Sequence, residues 1–224
     1  MKVLIACEES QATCKEFRKL GHEAYSCDLL DCSGGREEWH IKGDALKEAY
    51  SGKYDLMVAH PPCTYLAVSG ARWLYNKDGS KNTERWINQE EALGFVRKLL
   101  NAPIKHIALE NPISVISSHI KKPEQIVQPW MFGDEAQKST CLWLKNLPLL
   151  KPTNIVGKGE FIEFTGKDGK KKKQPRWYFD ALVNAKTTEE RRTLRSKTFP
   201  GMAEQMAKQW SDLTDFYNQI KLDI

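Results

Sequence analysis

VAHPPCTYLAVSG, residues 58–70, places a cysteine directly after two prolines, at the end of the apolar run YDLMVAH from Tyr54 to His60. Pro61 and Pro62 cannot donate ladder hydrogen bonds, so a strand through this run must stop there. Cys63 is then held on a stiff turn at the C-terminal edge of a strand. In open α/β sheets that edge is where ligands bind. A cysteine at such a position is a nucleophile, a metal ligand or an inert packing residue, and the rest of the chain has to decide between them.

Reading outward, KVLIA at 2–6 has the pattern of a short buried strand. QATCKEFRKL at 11–20 then shows Ala12, Phe17 and Leu20 at helical spacing, with Ser10 as a candidate N-cap and Gly21 as a stop. His22 to Asp28 reads as a second strand, followed by the loop DLLDCSGGREEWHIKGD. The strongest helix spans 83–101, with Thr83 as its cap and Trp86, Ala92, Phe95, Val96 and Leu99 on one face. IKHIAL at 104–109 is another buried strand. This alternation predicts an α/β fold with a doubly wound, mostly parallel sheet covered on both faces.

The pattern changes after about residue 120. TCLWL at 140–144 reads as a late strand, and Pro148 and Pro152 mark a connector. EFIEFTGKDGKKKKQPRWYF reads as a hairpin whose turn lies in its glycine- and lysine-rich middle, and helices follow near 187–195 and 200–220. The division expected is a core over 1–150, a small basic appendage over 151–190, and a C-terminal helix within 191–224 that returns to the core.

Composition sets wide bounds. The 224 residues, 41% hydrophobic and 28% charged, suit one globular domain with an appendage. A net charge of +5 favours polyanionic partners only weakly. No apolar run reaches the roughly 18 residues of a membrane span. The N-terminus MKVLIACEES lacks the features of a signal peptide, which points to a cytosolic chain with reduced thiols. Of the six cysteines, Cys27 and Cys32 have half the spacing of a zinc site, but no second pair follows, and no metal is expected.

Two motifs stand at strand ends: HPPC at 60–63 and LENP at 109–112. Each pairs a reactive side chain with proline. On these residues the chain resembles the cytosine carbon-5 DNA methyltransferases, in a short form of the kind found in bacteriophage genomes. That family carries a Pro-Pro-Cys loop and a Glu-Asn-Val or Glu-Asn-Pro loop in this order, on a Rossmann-like sheet that binds S-adenosylmethionine. The chemistry needs these residue types. Carbon 5 of cytosine is a poor nucleophile until a thiolate adds to carbon 6, and an acid at ring nitrogen 3 stabilises the adduct. The resemblance implies that Cys63 is the nucleophile and Glu110 the acid.

The resemblance also implies a cofactor site along Ala6, Glu8, Glu9, Ser10, Asp28, Leu29, Asp44, His60 and Pro61. The turn ACEESQAT has none of the family's glycines. Its acids suit the ammonium or sulfonium of S-adenosylmethionine, or they cap the helix that follows. Asp28 meets ribose hydroxyls or is a solvated turn residue, and Asp44 would face the adenine amino group. Substrate contacts are implied for Pro62, Thr64, Arg72, Trp73, Asn111, Lys138, Ser139 and Thr140. In QKSTCLWL the last three stand where the family shows Gln-x-Arg-x-Arg. The long loop after Cys63 would close over a flipped base, with Arg72 and Trp73 filling the gap, or it is an ordinary surface loop. Lys171 and Lys172 neutralise phosphates or lie at a solvated hairpin tip, and Trp177 or Tyr178 offers a stacking face. LRSKTFPGMAEQMA, 194–207, resembles the family's closing motif.

The region available for target recognition is only about 40 residues, 151–190. So small a module implies loose sequence specificity, a partner protein, or a substrate smaller than duplex DNA. Three functions stay open: methylation of cytosine in DNA, the same chemistry on a free pyrimidine nucleotide or another modified base, and an inactive nucleic-acid-binding or counter-defence relative.

Overall fold

Val3 to Ala6 are all fully buried in β1 (Lys2–Ala6), as a strand flanked on both sides and covered on both faces requires. The computed structural model of the chain describes residues 1–166 and 168–213. Six more strands complete the main sheet: β2 (Glu23–Asp28), β3 (His40–Lys42), β4 (Leu56–Ala59), β5 (His106–Pro112), β6 (Gln125–Val127) and β7 (Thr140–Lys145). Their order is β3-β2-β1-β4-β5-β7-β6. The first five are parallel, and β7 runs antiparallel between β5 and β6. The protein is therefore a doubly wound, mostly parallel α/β sheet, with the chain reversing its direction of travel between β1 and β4. In such sheets that reversal opens a crevice at the carboxyl edge.

Helices cover both faces. Phe17 of α1 (Ala12–Lys19) packs with Met202, Met206 and Trp210 of α7 (Pro200–Ser211) on Val3, Ile5 and Val58. On the other face, Ala45 and Ala49 of α2 (Ala45–Ala49), Leu93, Val96 and Leu99 of α3 (Thr83–Leu100) and Ile116 of α4 (Ile116–His119) cover Leu4, Met57 and Ile107.

Local structure departs from the sequence reading in five places. Ser10 does not cap α1. Gln11 is the N-cap, in left-handed backbone (φ 59°) with no side-chain cap. The buried Glu8 carboxylate supplies that function, accepting from the amides of Thr13 (2.7 Å) and Cys14 (3.1 Å). In α3 the cap is Asn82, which accepts from the Arg85 amide, and the buried face is Gln89, Leu93, Val96 and Leu99. The loop after β2 holds β3 and α2. β5 runs on to Pro112 because β7 pairs with it from Glu110↔Leu142 to Pro112↔Thr140.

The appendage is the antiparallel pair β8 (Phe161–Thr165) and β9 (Lys171–Pro175), followed by α5 (Arg176–Val183) and α6 (Thr188–Ser196). The hairpin is as expected but ends at Pro175, the N-cap of α5, so Trp177 and Tyr178 are helical. Lys171 and Lys172 stand on β9 and not at the tip, and Lys172 pairs with Asp168 at 3.2 Å. α7 begins where expected, while the expected stretch 214–220 lies outside the described residues.

Replacing Glu8 by Ala leaves the Thr13 and Cys14 amides unpaired in a buried position. Urea unfolding should show a loss on the order of 2–4 kcal/mol.

Candidate active site

Pairing register brings four strand ends into one row. Ala6 lies opposite Cys27 on one side and Ala59 on the other, and Ala59 lies opposite Leu109. The residues that follow share one edge: the 7–11 turn, Asp28, His60 and Glu110. β4 ends at Ala59 while β5 continues, so the Pro61–Pro62–Cys63 turn fills the space beside Glu110 and Asn111. Asn111 is buried and donates from Nδ2 to the Pro61 carbonyl at 2.8 Å. The Glu-Asn-Pro segment thus pins the Pro-Pro-Cys turn.

His60 and Glu110 point to the same sheet face, and their side chains are 10% and 13% exposed. His60 Nδ1 lies 3.1 Å from Glu110 Oε2, and its Nε2 lies 3.4 Å from Thr13 Oγ1. Burial alone would push both groups toward neutrality. Their contact and charges prevail: Glu110 holds the imidazole above its usual range, and His60 with Lys138 holds the Glu110 carboxyl below its own. Both shifts run in the direction that favours a His60 cation beside a Glu110 anion. Burial holds Glu8 above the carboxylate range, opposed by the His60 charge and the two α1 amides.

Cys63 is half-buried beside this pair. Burial and then the Glu110 charge push its thiol up, while Lys138 and Arg195 pull it down. Asn111, next to Glu110 on β5, holds the turn that carries Cys63, so thiol and acid lie at the same sheet edge within electrostatic reach of each other. Arg195 was not singled out from the sequence. It stacks on Tyr178 at 4.6 Å, and no motif around it announces its approach to a cysteine over a hundred residues earlier in the chain. Trp177 fixes the appendage to the core by donating to the Gln137 carbonyl (3.2 Å) and meeting Phe199 edge-on (5.4 Å). Lys138 donates to the Lys197 carbonyl at 3.3 Å.

The expected cofactor residues gather at the switch point with different duties. Ala6 is fully buried, and its carbonyl accepts from the His60 amide. Asp28 and Asp44 both raise the Cys7 thiol, so the two carboxylates lie together beyond β1. Asp28 accepts from the Leu30 amide and Asp44 caps α2, while Leu29 is 74% exposed beside them. Glu9 and Ser10 are half-exposed, and the Glu9 carbonyl accepts from Ser33. Pro61 is buried. In phosphate-binding folds the amides at the first helix's N-terminus hold the anion. Here Glu8 fills that place, so a pyrophosphate does not fit. Acids with an exposed leucine suit a cationic ligand bearing hydroxyls and an apolar ring, and S-adenosylmethionine has those features.

Of the expected substrate residues, Asn111 holds the turn before Cys63, and Lys138 acts on Glu110 and Cys63 through its charge. Pro62 and Thr64 flank Cys63 and are exposed. Ser139 accepts from Gln128 at 2.8 Å. Thr140 is fully buried and donates to the Lys138 carbonyl, so it shapes the loop. The segment after Cys63 is anchored along its length. Arg85 donates to the Thr64 carbonyl and Gln89 to the Tyr65 carbonyl. Ala67 bridges to Ser114, and Trp86 donates to the Leu74 carbonyl. Arg72 stacks on Trp73, itself 55% exposed, on the outer side of this arm. Lys171 and Lys172 are exposed on β9.

No family model matches the sequence. No curated protein matches it either. Among solved structures 45 chains match. One is described as a candidate DNA modification methyltransferase encoded within an E. coli prophage; it aligns at 10% identity and a TM-score of 0.41 over 70% of this chain and 52% of its own. The chain thus spans about half the length of that protein.

Two measurements read this electrostatic arrangement. Glu110→Gln removes the charge that raises Cys63, so alkylation of that thiol at neutral pH should quicken. Lys138→Met should slow it, with peptide mass spectrometry separating Cys63 from the other thiols. For the ion pair, the Glu110 contribution to stability is present above its unfolded midpoint of about 4.3 and is lost as pH falls through the depressed folded value. The His60 contribution is present below about 6.5 and is lost as pH rises through the raised folded value. The stability difference between the wild type and His60→Gln should therefore be largest between those limits and shrink on both sides.

Proposed function

We propose that the protein transfers a methyl group to carbon 5 of a cytosine through a transient covalent adduct at Cys63. The observation that supports this reading is a cysteine on a proline turn that Asn111 pins to the strand bearing the buried Glu110, at the carboxyl edge of a doubly wound sheet. Cys63 adds to carbon 6 of the base, forming a sulfur–carbon bond and loading electron density onto carbon 5. Glu110 delivers a proton to ring nitrogen 3, so the adduct forms without a full negative charge on the ring. Glu9, Asp28 and Asp44 would hold S-adenosylmethionine, which when bound would supply an electrophilic methyl for carbon 5 and leave as the neutral thioether. Loss of the carbon 5 proton to water, cleavage of the sulfur–carbon bond and return of the nitrogen 3 proton to Glu110 release the methylated base and free the Cys63 sulfur. Asn111 keeps the Pro61 turn in register with Glu110, which matters because an attacking atom must sit about 3–3.5 Å from its target.

The acceptor is cytosine in DNA on this reading. The size of the appendage favours a second acceptor of the same chemistry, a free pyrimidine nucleotide. A two-stranded hairpin and two short helices leave little surface for reading a sequence. A partner protein would compensate for that if the acceptor is duplex DNA.

Incubation with labelled S-adenosylmethionine, followed by mass spectrometry of DNA and separately of nucleotides, should show methylated cytosine in one of the two. Cys63→Ala should abolish the product while leaving cofactor binding close to wild type by calorimetry. A 5-fluorocytosine acceptor, once methylated, cannot eliminate and should remain bonded to Cys63. Full activity in Cys63→Ala would make Cys63 a packing residue.

A further inference from the structure

His60 belongs to neither half of the chemistry proposed above, yet it is the most committed side chain in the pocket. Its Nδ1 faces Glu110 Oε2 at 3.1 Å and its Nε2 faces Thr13 Oγ1 at 3.4 Å. Thr13 lies on α1, where its own amide is held by Glu8. The charged and titratable groups facing His60 are Glu8 from the turn before α1, Glu110 from β5 and Lys138 from the segment before β7. Two of these are acids, and the side chain is 10% exposed. Bulk water therefore has little access to the one proton the pair shares.

We propose that His60 is the positioning residue that supplies the proton Glu110 delivers to the acceptor base. This inference rests on the cytosine reading. When the base arrives, the proton on His60 Nδ1 moves to Glu110 Oε2, and the acid then protonates ring nitrogen 3. His60 is left neutral and the adduct has gained one proton. When the sulfur–carbon bond breaks, nitrogen 3 returns the proton to Glu110 and Glu110 returns it to His60. No electrons are exchanged and no further reactant is needed. The arrangement selects a base whose nitrogen 3 accepts a proton, as in cytosine. Uracil carries a hydrogen there and gains nothing from the stored proton. Transfer of the proton also cancels the Glu110 charge that raises Cys63, so the thiol gives up its own proton to water more readily when the base is in place and takes one back from water after the sulfur–carbon bond breaks.

The test uses the full chain. In histidine-labelled wild-type protein without substrate, nuclear magnetic resonance should place the His60 midpoint above about 6.5, and Glu110→Gln should lower it. Methyl transfer to cytosine by the wild type should fall as pH rises through that midpoint. His60→Gln keeps a donor to Glu110 but holds no transferable proton. Its rate at neutral pH should fall on the order of 100-fold, and the wild-type to variant ratio should shrink as pH falls, because Glu110 then takes its proton from solvent. Comparing the two at each pH cancels the titration of Cys63. A ratio independent of pH, or a wild-type His60 midpoint at or below about 6.5, overturns the inference while the methyltransferase reading stands. A wild type inert on every cytosine acceptor, with the His60 midpoint raised, removes that reading and this inference with it.

Discussion

The site depends on one constraint of register: β1, β2, β4 and β5 run parallel and come level at Ala6, Cys27, Ala59 and Leu109. Hydrogen bonding between parallel strands fixes that alignment, because a slip of one residue would turn every buried side chain to the opposite face. The alignment makes His60 and Glu110 neighbours although fifty residues of chain separate them. It also sets Asp28 beside the 7–11 turn. Nothing in either loop alone would bring these groups together. Proline ends β4 at the row, and β7 carries β5 past it, so the two strands stop at different heights. The resulting step is the pocket.

Three ionisable side chains at this step, Glu8, His60 and Glu110, are withdrawn from water, which is costly for each of them. Each cost is offset in a specific way. Glu8 accepts from two amides that α1 would otherwise leave unpaired. His60 and Glu110 neutralise one another. Buried pairs of this sort add little net stability compared with apolar residues of the same size, although removing one partner costs about 3–5 kcal/mol. An apolar pocket would have been the simpler way to stabilise this sheet edge. The retained charges are thus better explained by chemistry at the pocket than by stability, and a purely structural role for Cys63 sits poorly with them.

How much of this was legible in the sequence follows from the range of each interaction. The stop after His60 was legible because proline acts on its own peptide group. The sheet class was legible because buried parallel strands are apolar along their whole length. The extension of β5 through Glu110 was not, since it depends on β7, whose pairing is tertiary. Glu8 as the cap of α1 was hidden because capping residues ordinarily sit next to the helix, whereas Glu8 reaches across a turn containing two left-handed residues, Cys7 and Gln11. The aromatic run after Pro175 has strand propensity, yet Trp177 docking on Gln137 and Phe199 holds it as a helix. Arg195 was invisible because its meaning comes only from where α6 lies.

The resting state of Cys63 bears most on how the pocket works. Positive charge beside a thiol lowers its pKa. Lys138 and Arg195 supply such charge, but burial and Glu110 outweigh it, and the thiol is raised. A nucleophile protonated at rest is unreactive toward water-borne electrophiles and oxidants, since the thiolate is the reactive form. On the proposed chemistry this is consistent with function, because the opposing charge is on the very group that the base neutralises. Once Glu110 carries the proton, burial alone opposes the pull of Lys138 and Arg195 on Cys63. The acid and the nucleophile then respond to one event, the arrival of a ring nitrogen that accepts a proton.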